Sequence, residues 1–235
     1  MEENEEKLEK VYFLLADDYS KNVFEKLIYF RLLDDSVQIP TEPQDKQYFE
    51  YNFYPRRKDE IFVDCGAYNG ISLKTFLQEN ENSFEKYYGI EPDPANYEKL
   101  LEYVNILPEN IRKKIVLNRN AMYAKKCNLR LYQLNGPGSF ISDIGTAEIQ
   151  TERIDDILDH KGATYIKMNI EGSELPALKG AGQTIADYKP KLAIAGYHKT
   201  WDLWEVPLLI HDICPAYRFY LRSYMNHVSF VYYGI

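Results

Sequence analysis

The sequence has few cysteines and no long apolar run. Its three cysteines, Cys65, Cys127 and Cys214, are scattered and odd in number. The sequence therefore indicates neither a disulfide framework nor a zinc site. No apolar stretch approaches the roughly 20 residues of a membrane-spanning helix. The N-terminus, MEENEEKLEK, is acidic, whereas a signal peptide is basic and then apolar. These features predict a cytoplasmic protein.

The chain also lacks an excess of basic residues. It carries 28 Lys and Arg against 36 Asp and Glu, which gives a net charge of -8. This balance argues against nucleic acid or an anionic membrane as the main partner, because both are negatively charged. A hydrophobic content of 45% is ordinary for a soluble globular protein, and 235 residues suffice for one large α/β domain with a small appendage.

The most informative stretch is IFVDCGAYNG, from Ile61 to Gly70. Its first four residues predict a short buried strand, because β-branched and aromatic side chains suit a pleated surface packed on both faces. Gly66 and Gly70 bracket a turn, and helical spacing predicts a helix over Ile71 to Asn80. A nucleotide-like ligand can approach bare backbone and a helix N-terminus in such a unit. A purely structural turn is the alternative.

An acid follows this unit at the spacing of a nucleoside pocket. Glu91 lies about 20 residues beyond Gly70, at the predicted tip of the second strand, where a carboxylate can bind both hydroxyls of a ribose. The carboxylate of Asp64 and the spacing G-x-x-x-G argue against the pyrophosphate of a dinucleotide and favour a cationic sulfonium. We therefore predict S-adenosylmethionine as the cofactor. An NAD-linked oxidoreductase on a similar sheet is the alternative enzyme.

The remaining pattern alternates strands and helices. Apolar residues at helical spacing from Lys7 to Leu33 predict a small helical appendage, with a break and a helix cap at Asp17 to Ser20. Helices are predicted over Pro94 to Val104, with Asp93 as the capping candidate, and over Asp202 to Ile213. Strands are predicted over Tyr165 to Ile170 and Lys191 to Tyr197, and the alternation over Leu129 to Gln133 and Ile149 to Arg153 predicts an antiparallel pair. The runs RFYLRSY and HVSFVYYG predict a C-terminal antiparallel hairpin. Residues at the carboxyl ends of the strands of an open α/β sheet are site candidates, and here these are Asn169, Glu171, Gly172 and His198.

Six segments together resemble the FkbM-type methyltransferases, a branch of the class I S-adenosylmethionine-dependent enzymes. They are DCGAYNG, GIEPDPANYEKL, the Asn120-Ala121 step, TERIDDIL, YIKMNIEGSELPALKGA and AIAGYHK. The resemblance implies a Rossmann-like α/β fold: a seven-stranded, mostly parallel sheet with helices on both faces and an antiparallel C-terminal hairpin. Together with the N-terminal periodicity it predicts a helical appendage or lid over residues 1–55 and a methyltransferase domain over residues 56–235.

The resemblance also implies the roles of single residues. Asp64, Gly66 and Gly70 would line the methionine end of the cofactor, Glu91 would hold the ribose, and Asn120 and Ala121 would lie near the adenine. The full set of predicted cofactor-binding residues is Asp64, Gly66, Ala67, Tyr68, Asn69, Gly70, Glu91, Pro92, Asn120 and Ala121.

Three residues are candidates for catalysis, which requires an acceptor oxygen in line with the methyl group and removal of its proton. His198 is the predicted general base, because an ordinary histidine pKa of about 6.5 suits this task. Glu171 is a second candidate, with capping of the next helix as its alternative role. Asn169 stands where the family usually has Asp, and an amide neither acts as a base nor binds hard cations well. A divalent metal held by these three residues is possible but not favoured.

The prediction is a cytoplasmic O-methyltransferase that acts on a hydroxyl of a small molecule or a saccharide. The substitution at Asn169 leaves open a non-catalytic cofactor-binding or scaffold protein. The sequence identifies neither the acceptor nor the oligomeric state.

Overall fold

The computed structural model describes residues 4–33, 37–53, 55–134, 136, 138–159, 161–225 and 229–235. The chain divides into two compact units. Met1–Tyr54 and Lys191–Ile235 form the terminal unit, and Pro55–Pro190 form the central unit. The predicted division at residue 55 into an appendage and one domain stays a prediction. Within the described ranges, no helix combines the length and the apolar character needed to cross a bilayer.

Nine α-helices and eleven strands are assigned among the described residues. The helices are α1 (Glu5–Leu14), α2 (Asp18–Leu32), α3 (Ile71–Glu79), α4 (Pro94–Asn105), α5 (Glu109–Arg112), α6 (Ile154–Ile157), α7 (Glu174–Lys179), α8 (Gly182–Tyr188) and α9 (Asp202–Ile213). The strands are β1 (Ile61–Cys65), β2 (Lys86–Ile90), β3 (Ile115–Asn118), β4 (Ala121–Met122), β5 (Asn128–Tyr132), β6 (Phe140–Ile141), β7 (Ala147–Glu152), β8 (Tyr165–Met168), β9 (Lys191–Ala195), β10 (Phe219–Tyr224) and β11 (Ser229–Gly234).

Seven strands form one sheet in the order β10-β11-β9-β8-β1-β2-β3. Strand β1 pairs in parallel with β2 and β8, and β2 pairs in parallel with β3. Strand β11 pairs antiparallel with β10 and β9. The predicted α/β fold, with a seven-stranded, mostly parallel sheet and an antiparallel C-terminal hairpin, is therefore confirmed.

The core of the central unit is aromatic around β1. Phe62 is fully buried, and its ring stacks on Tyr165 of β8 with the ring centroids 4.6 Å apart. The ring of Phe76 from α3 lies 4.9 Å from Phe62, so the helix packs its apolar face on the strand that precedes it. This packing holds α3 against β1, the two elements that the glycine turn connects.

The helices of the terminal unit pack against its C-terminal strands. The side chain of Asp17 caps α2 by accepting a hydrogen bond from the N–H of Ser20, as the sequence predicts. The N–H of Ala16 donates to the carbonyl of Phe219, and the N–H of Leu221 donates to the Ser20 hydroxyl, each at 2.8 Å. The start of α2 thereby pairs with β10, the outermost strand of the sheet.

Two features of the central unit differ from the sequence prediction. Strand β8 ends at Met168, two residues early, and Glu171 and Gly172 beyond it take left-handed backbone angles, with φ of 56° and 90°. A second sheet of four short strands, in the order β4-β7-β5-β6, was predicted only as an antiparallel pair. Its core consists of Ala121, Leu131 and Ile149, which is too few apolar residues to mark a sheet by periodicity.

Candidate functional site

The glycine turn between β1 and α3 has the backbone that the sequence predicts. Gly66 has φ of +80°, and a Cβ there would collide with the carbonyl oxygen of Asn169. Gly70 is the N-cap of α3 with φ of +89°, and a Cβ there would lie 2.9 Å from the ring of Tyr103. Both positions therefore require glycine, for conformation and for space. The turn brings Gly66 against Asn169, two of the predicted site residues.

The carboxyl group of Glu91 lies beside this turn. One oxygen accepts a hydrogen bond from the N–H of Tyr68 at 2.9 Å, and the other accepts one from the N–H of Asp93 at 3.0 Å. Glu91 is only 6% exposed, and this burial raises its pKa to about 7, although the two N–H groups act in the opposite direction. A carboxylate has about four acceptor positions, and these two hydrogen bonds use one on each oxygen.

The other predicted residues of the turn support its shape. Ala67 is fully buried, and its N–H donates to the carbonyl of Ile90 at 3.0 Å. The side chain of Asn69 accepts a hydrogen bond from the N–H of Ile71 at 3.3 Å. Pro92 is half-buried between Glu91 and Asp93. Asp93 caps α4 by accepting hydrogen bonds from Ala95 and Asn96, as predicted.

The carboxyl group of Asp64 lies among buried polar side chains, and its role at the methionine end of the cofactor stays a prediction. It is fully buried, and one oxygen accepts a hydrogen bond from the ammonium of Lys167 at 2.9 Å. The other oxygen accepts hydrogen bonds from the hydroxyls of Tyr87, at 2.7 Å, and Ser72. Cys65 next to it is also fully buried, and burial raises the pKa of its thiol, which fits a packing residue rather than a nucleophile.

Asn120 and Ala121 lie at the start of β4. The Asn120 N–H donates to the side-chain oxygen of Asn118 at 2.7 Å, and its side-chain amide donates to Glu152 at 2.9 Å. The amide of Asn118 donates to the same Glu152 oxygen at 3.0 Å. Glu152 therefore orients the Asn120 amide so that its oxygen faces away from Glu152. The role of Asn120 and Ala121 at the adenine stays a prediction.

Asn169 and Glu171 follow β8. The N–H of Asn169 donates to the carbonyl of Cys65 at 3.1 Å, which joins the ends of β8 and β1. Glu171 is half-buried in its left-handed conformation, and a Cβ on Gly138 would lie 4.0 Å from one of its carboxylate oxygens. A non-glycine residue in this region of φ costs conformational energy, and such residues cluster at functional sites.

His198 belongs to the terminal unit, three residues after the end of β9. It is half-buried, and its ring centroid lies 4.3 Å from that of Tyr197. Its role as a general base stays a prediction, as do the catalytic roles of Asn169 and Glu171.

Sequence reasoning missed two charged residues of the central unit, Lys167 and Glu152. Lys167 is 3% exposed and lies inside β8. A lysine within the apolar run YIKM is the signal that was available, because a charged side chain in a buried strand needs a partner. Glu152 gave no such signal, since it ends a strand whose residues are alternately exposed.

The chain is similar to known methyltransferases. The family model described as the methyltransferase FkbM domain matches residues 64–228, which is more than half of the chain. The crystal structure of methyltransferase FkbM from Methylobacillus flagellatus KT is 30% identical in sequence, with a TM-score of 0.87. That similarity covers 99% of this chain and 59% of the other, so this chain spans less than two thirds of that protein.

A distant similarity supports the fold alone. Precorrin-6y C5,15-methyltransferase from Geobacter metallireducens matches with a TM-score of 0.51 and 8% identity, over 86% of this chain and 96% of the other. No curated protein sequence matches significantly. The match of the family model over most of the chain, on the fold and glycine turn described above, shows that this protein belongs to the FkbM methyltransferase family.

Proposed function

We propose that this protein is an S-adenosylmethionine-dependent O-methyltransferase that acts on a hydroxyl of a small molecule or a saccharide. The observation that carries the proposal is the carboxyl group of Glu91, which the N–H groups of Tyr68 and Asp93 hold beside the glycine turn. A buried carboxylate with one hydrogen bond on each oxygen suits the two hydroxyls of a ribose. The glycine turn offers the adenosyl ligand close approach to backbone.

The chemistry requires little from the protein beyond positioning and proton removal. S-adenosylmethionine supplies a methyl group on a sulfonium that is already a strong electrophile. His198 is proposed to take the proton of the acceptor hydroxyl, with Glu171 as the second candidate. If an alanine variant of His198 binds the cofactor and still methylates at the wild-type rate, His198 has no part in the reaction.

The acceptor class follows from the family resemblance and from charge. A net charge of -8 disfavours nucleic acid and anionic membranes, so a small molecule or saccharide is the proposed partner. Asn169 in the place of the family's aspartate supports one rival, a protein that binds the cofactor without catalysis.

Calorimetric titration tests the cofactor directly. The wild-type protein is titrated with S-adenosylmethionine, S-adenosylhomocysteine and NAD, and the titrations are repeated with Glu91→Ala and with Glu98→Ala. Glu98 is an exposed residue of α4 and serves as the matched control. We expect micromolar binding of both adenosyl compounds and a loss of at least tenfold in Glu91→Ala alone, because charged hydrogen bonds contribute about 1.5–3 kcal/mol each.

The other outcomes separate the rivals. Binding of NAD alone would overturn the methyltransferase proposal in favour of an oxidoreductase. Binding of none of the three would favour a scaffold protein. Binding of the adenosyl compounds without methylation of any hydroxylated small molecule or saccharide would favour the non-catalytic rival.

A further inference from the structure

Lys167 is a buried cation inside the central unit. It lies on β8 directly opposite Asp64 in the parallel pairing of β1 with β8, and it is 3% exposed. A buried ammonium is unfavourable unless hydrogen bonds and a counter-charge compensate for the lost water. The groups that accept hydrogen bonds from the Lys167 ammonium therefore indicate its role.

The ammonium of Lys167 donates to the beginning of the glycine turn as well as to Asp64. It donates to the carbonyl of Gly66 at 2.8 Å and to the carbonyl of Cys65 at 3.4 Å, besides the carboxylate of Asp64 at 2.9 Å. An ammonium has three N–H donors, and the acceptors at Asp64, Cys65 and Gly66 all belong to β1 and the turn.

The turn contains one residue in a costly backbone conformation. Tyr68, which has a bulky side chain, has φ of 51°, whereas Gly66 adopts its φ of +80° without such a cost. The N–H of Tyr68 donates to Glu91, so the position of Tyr68 also fixes the carboxylate proposed to bind the ribose. A residue that holds the carbonyl of Gly66 in place therefore supports the glycine turn and, through Tyr68, the carboxyl group of Glu91.

Asp64 makes this role of Lys167 possible. Its carboxylate balances the charge of the buried ammonium, and the hydroxyls of Tyr87 and Ser72 hold its other oxygen in place. The pair lies between β1 and β8, where it presents no net charge.

We propose that Lys167 is a positioning residue of the cofactor site: its ammonium holds the carbonyls of Cys65 and Gly66, and thereby the glycine turn, in the shape that binds the adenosyl ligand. The inference rests on the proposed function for the identity of the ligand. It does not rest on it for the mechanical role, because the hydrogen bonds to the turn are independent of any ligand.

The experiment compares variants that remove the ammonium with variants that do not. Lys167→Met removes it directly. Since this leaves Asp64 buried without a counter-charge, a second comparison sets the double variant Asp64→Asn/Lys167→Met against Asp64→Asn. Lys114→Met is the matched control. The ammonium of Lys114, just before β3, also donates to a backbone carbonyl, that of Phe84 just before β2, at 2.6 Å.

Two readouts are measured at a temperature at which each variant is folded: the dissociation constant of S-adenosylhomocysteine, and hydrogen exchange of the amides of residues 66–70. We expect the double variant to bind at least tenfold more weakly than Asp64→Asn, with faster exchange in the turn and unchanged protection in β2. Lys114→Met should match the wild type in both readouts.

The two proposals fail in different ways. Wild-type protein that does not bind S-adenosylhomocysteine contradicts the proposed function, and turn exchange then still tests the role of Lys167. A folded double variant with the affinity and turn exchange of Asp64→Asn overturns the positioning role, because stability alone would then explain the buried pair.

Discussion

At the scale of single residues, the carboxyl group of Glu91 combines burial with a proposed function, ribose binding, that needs its charge. Burial raises its pKa from the ordinary 4.5 to about 7. In the ligand-free protein the folded state therefore holds this proton more tightly than the unfolded state does. The contribution of Glu91 to stability is present below about pH 4.5 and is lost as the pH rises through about 7.

Ligand binding should show the opposite dependence on pH. An ionised carboxylate accepts hydrogen bonds from both ribose hydroxyls, whereas a protonated one has less acceptor capacity. With a pKa of about 7, the ionised fraction falls about tenfold between pH 8 and pH 6. We therefore expect the affinity for S-adenosylhomocysteine, measured by calorimetry, to fall about tenfold over this range.

The control for this pH dependence is Glu91→Gln, which cannot titrate. Its affinity should be weak and nearly constant between pH 6 and pH 8. An equally flat profile in the wild type would mean that Glu91 either stays ionised throughout or does not contact the ligand.

At the scale of elements, the β1–turn–α3 unit depends on a close approach between two backbones. Gly66 packs on the carbonyl of Asn169, which follows β8, so the turn and the end of β8 fit together only without a side chain. We expect Gly66→Ala to lower the free energy of unfolding by about 2–3 kcal/mol in urea denaturation. We also expect it to abolish binding of S-adenosylhomocysteine.

Gly182→Ala provides the comparison for this substitution. A Cβ on Gly182, the first residue of α8, would meet no atom within 4 Å. Its effect on the free energy of unfolding should stay within about 1 kcal/mol, since alanine also reduces the entropy of the unfolded chain. If the two variants are equally stable, the turn relaxes without loss and the close approach is not essential.

The elements themselves were largely predictable from local pattern. The strand, turn and helix from Ile61 onward, the capped helix α4 and the helix α9 lie where periodicity and capping residues predict them. Two features were not predictable: the early end of β8 and the four-stranded second sheet. Each depends on backbone angles or on pairing with distant strands, which a local pattern does not contain.

The residues of the candidate site divide in the same way, into those that local spacing predicts and those that depend on a distant partner. The positions of Gly66, Gly70 and Glu91 follow from spacing, because each lies at a fixed distance from a strand end, whereas their roles toward a ligand stay predictions. The partnership of Asp64 with Lys167 joins residues 103 positions apart, and it became visible only when β1 and β8 paired. The sequence alone therefore predicts a ligand-facing charge at Asp64, and that role stays a prediction. It does not indicate the ion pair with Lys167 that the structure shows.

At the scale of the whole molecule, the N-terminal helix α2 and the residues before it cover the outermost strand of the sheet, β10. The family model begins at residue 64, so α1 and α2 lie outside it. Yet Ala16 and Ser20 make hydrogen bonds with β10, and Arg222 of β10 donates to Asp17 at 2.7 Å. An outermost strand with unpaired backbone groups is prone to self-association, and α2 covers this one.

Removal of residues 1–33 should therefore expose β10 and the guanidinium of Arg222. We expect the shortened protein to form dimers or larger species in size-exclusion chromatography with light scattering, at concentrations at which the full chain does not. We also expect a lower midpoint of thermal unfolding, because the N–H of Leu221 and the charge of Arg222 lose their partners. The control is Phe13→Ser in the full chain, which alters an exposed residue of α1 and keeps α2. A shortened protein with the size distribution and thermal midpoint of the full chain would show that α2 is dispensable to the sheet edge.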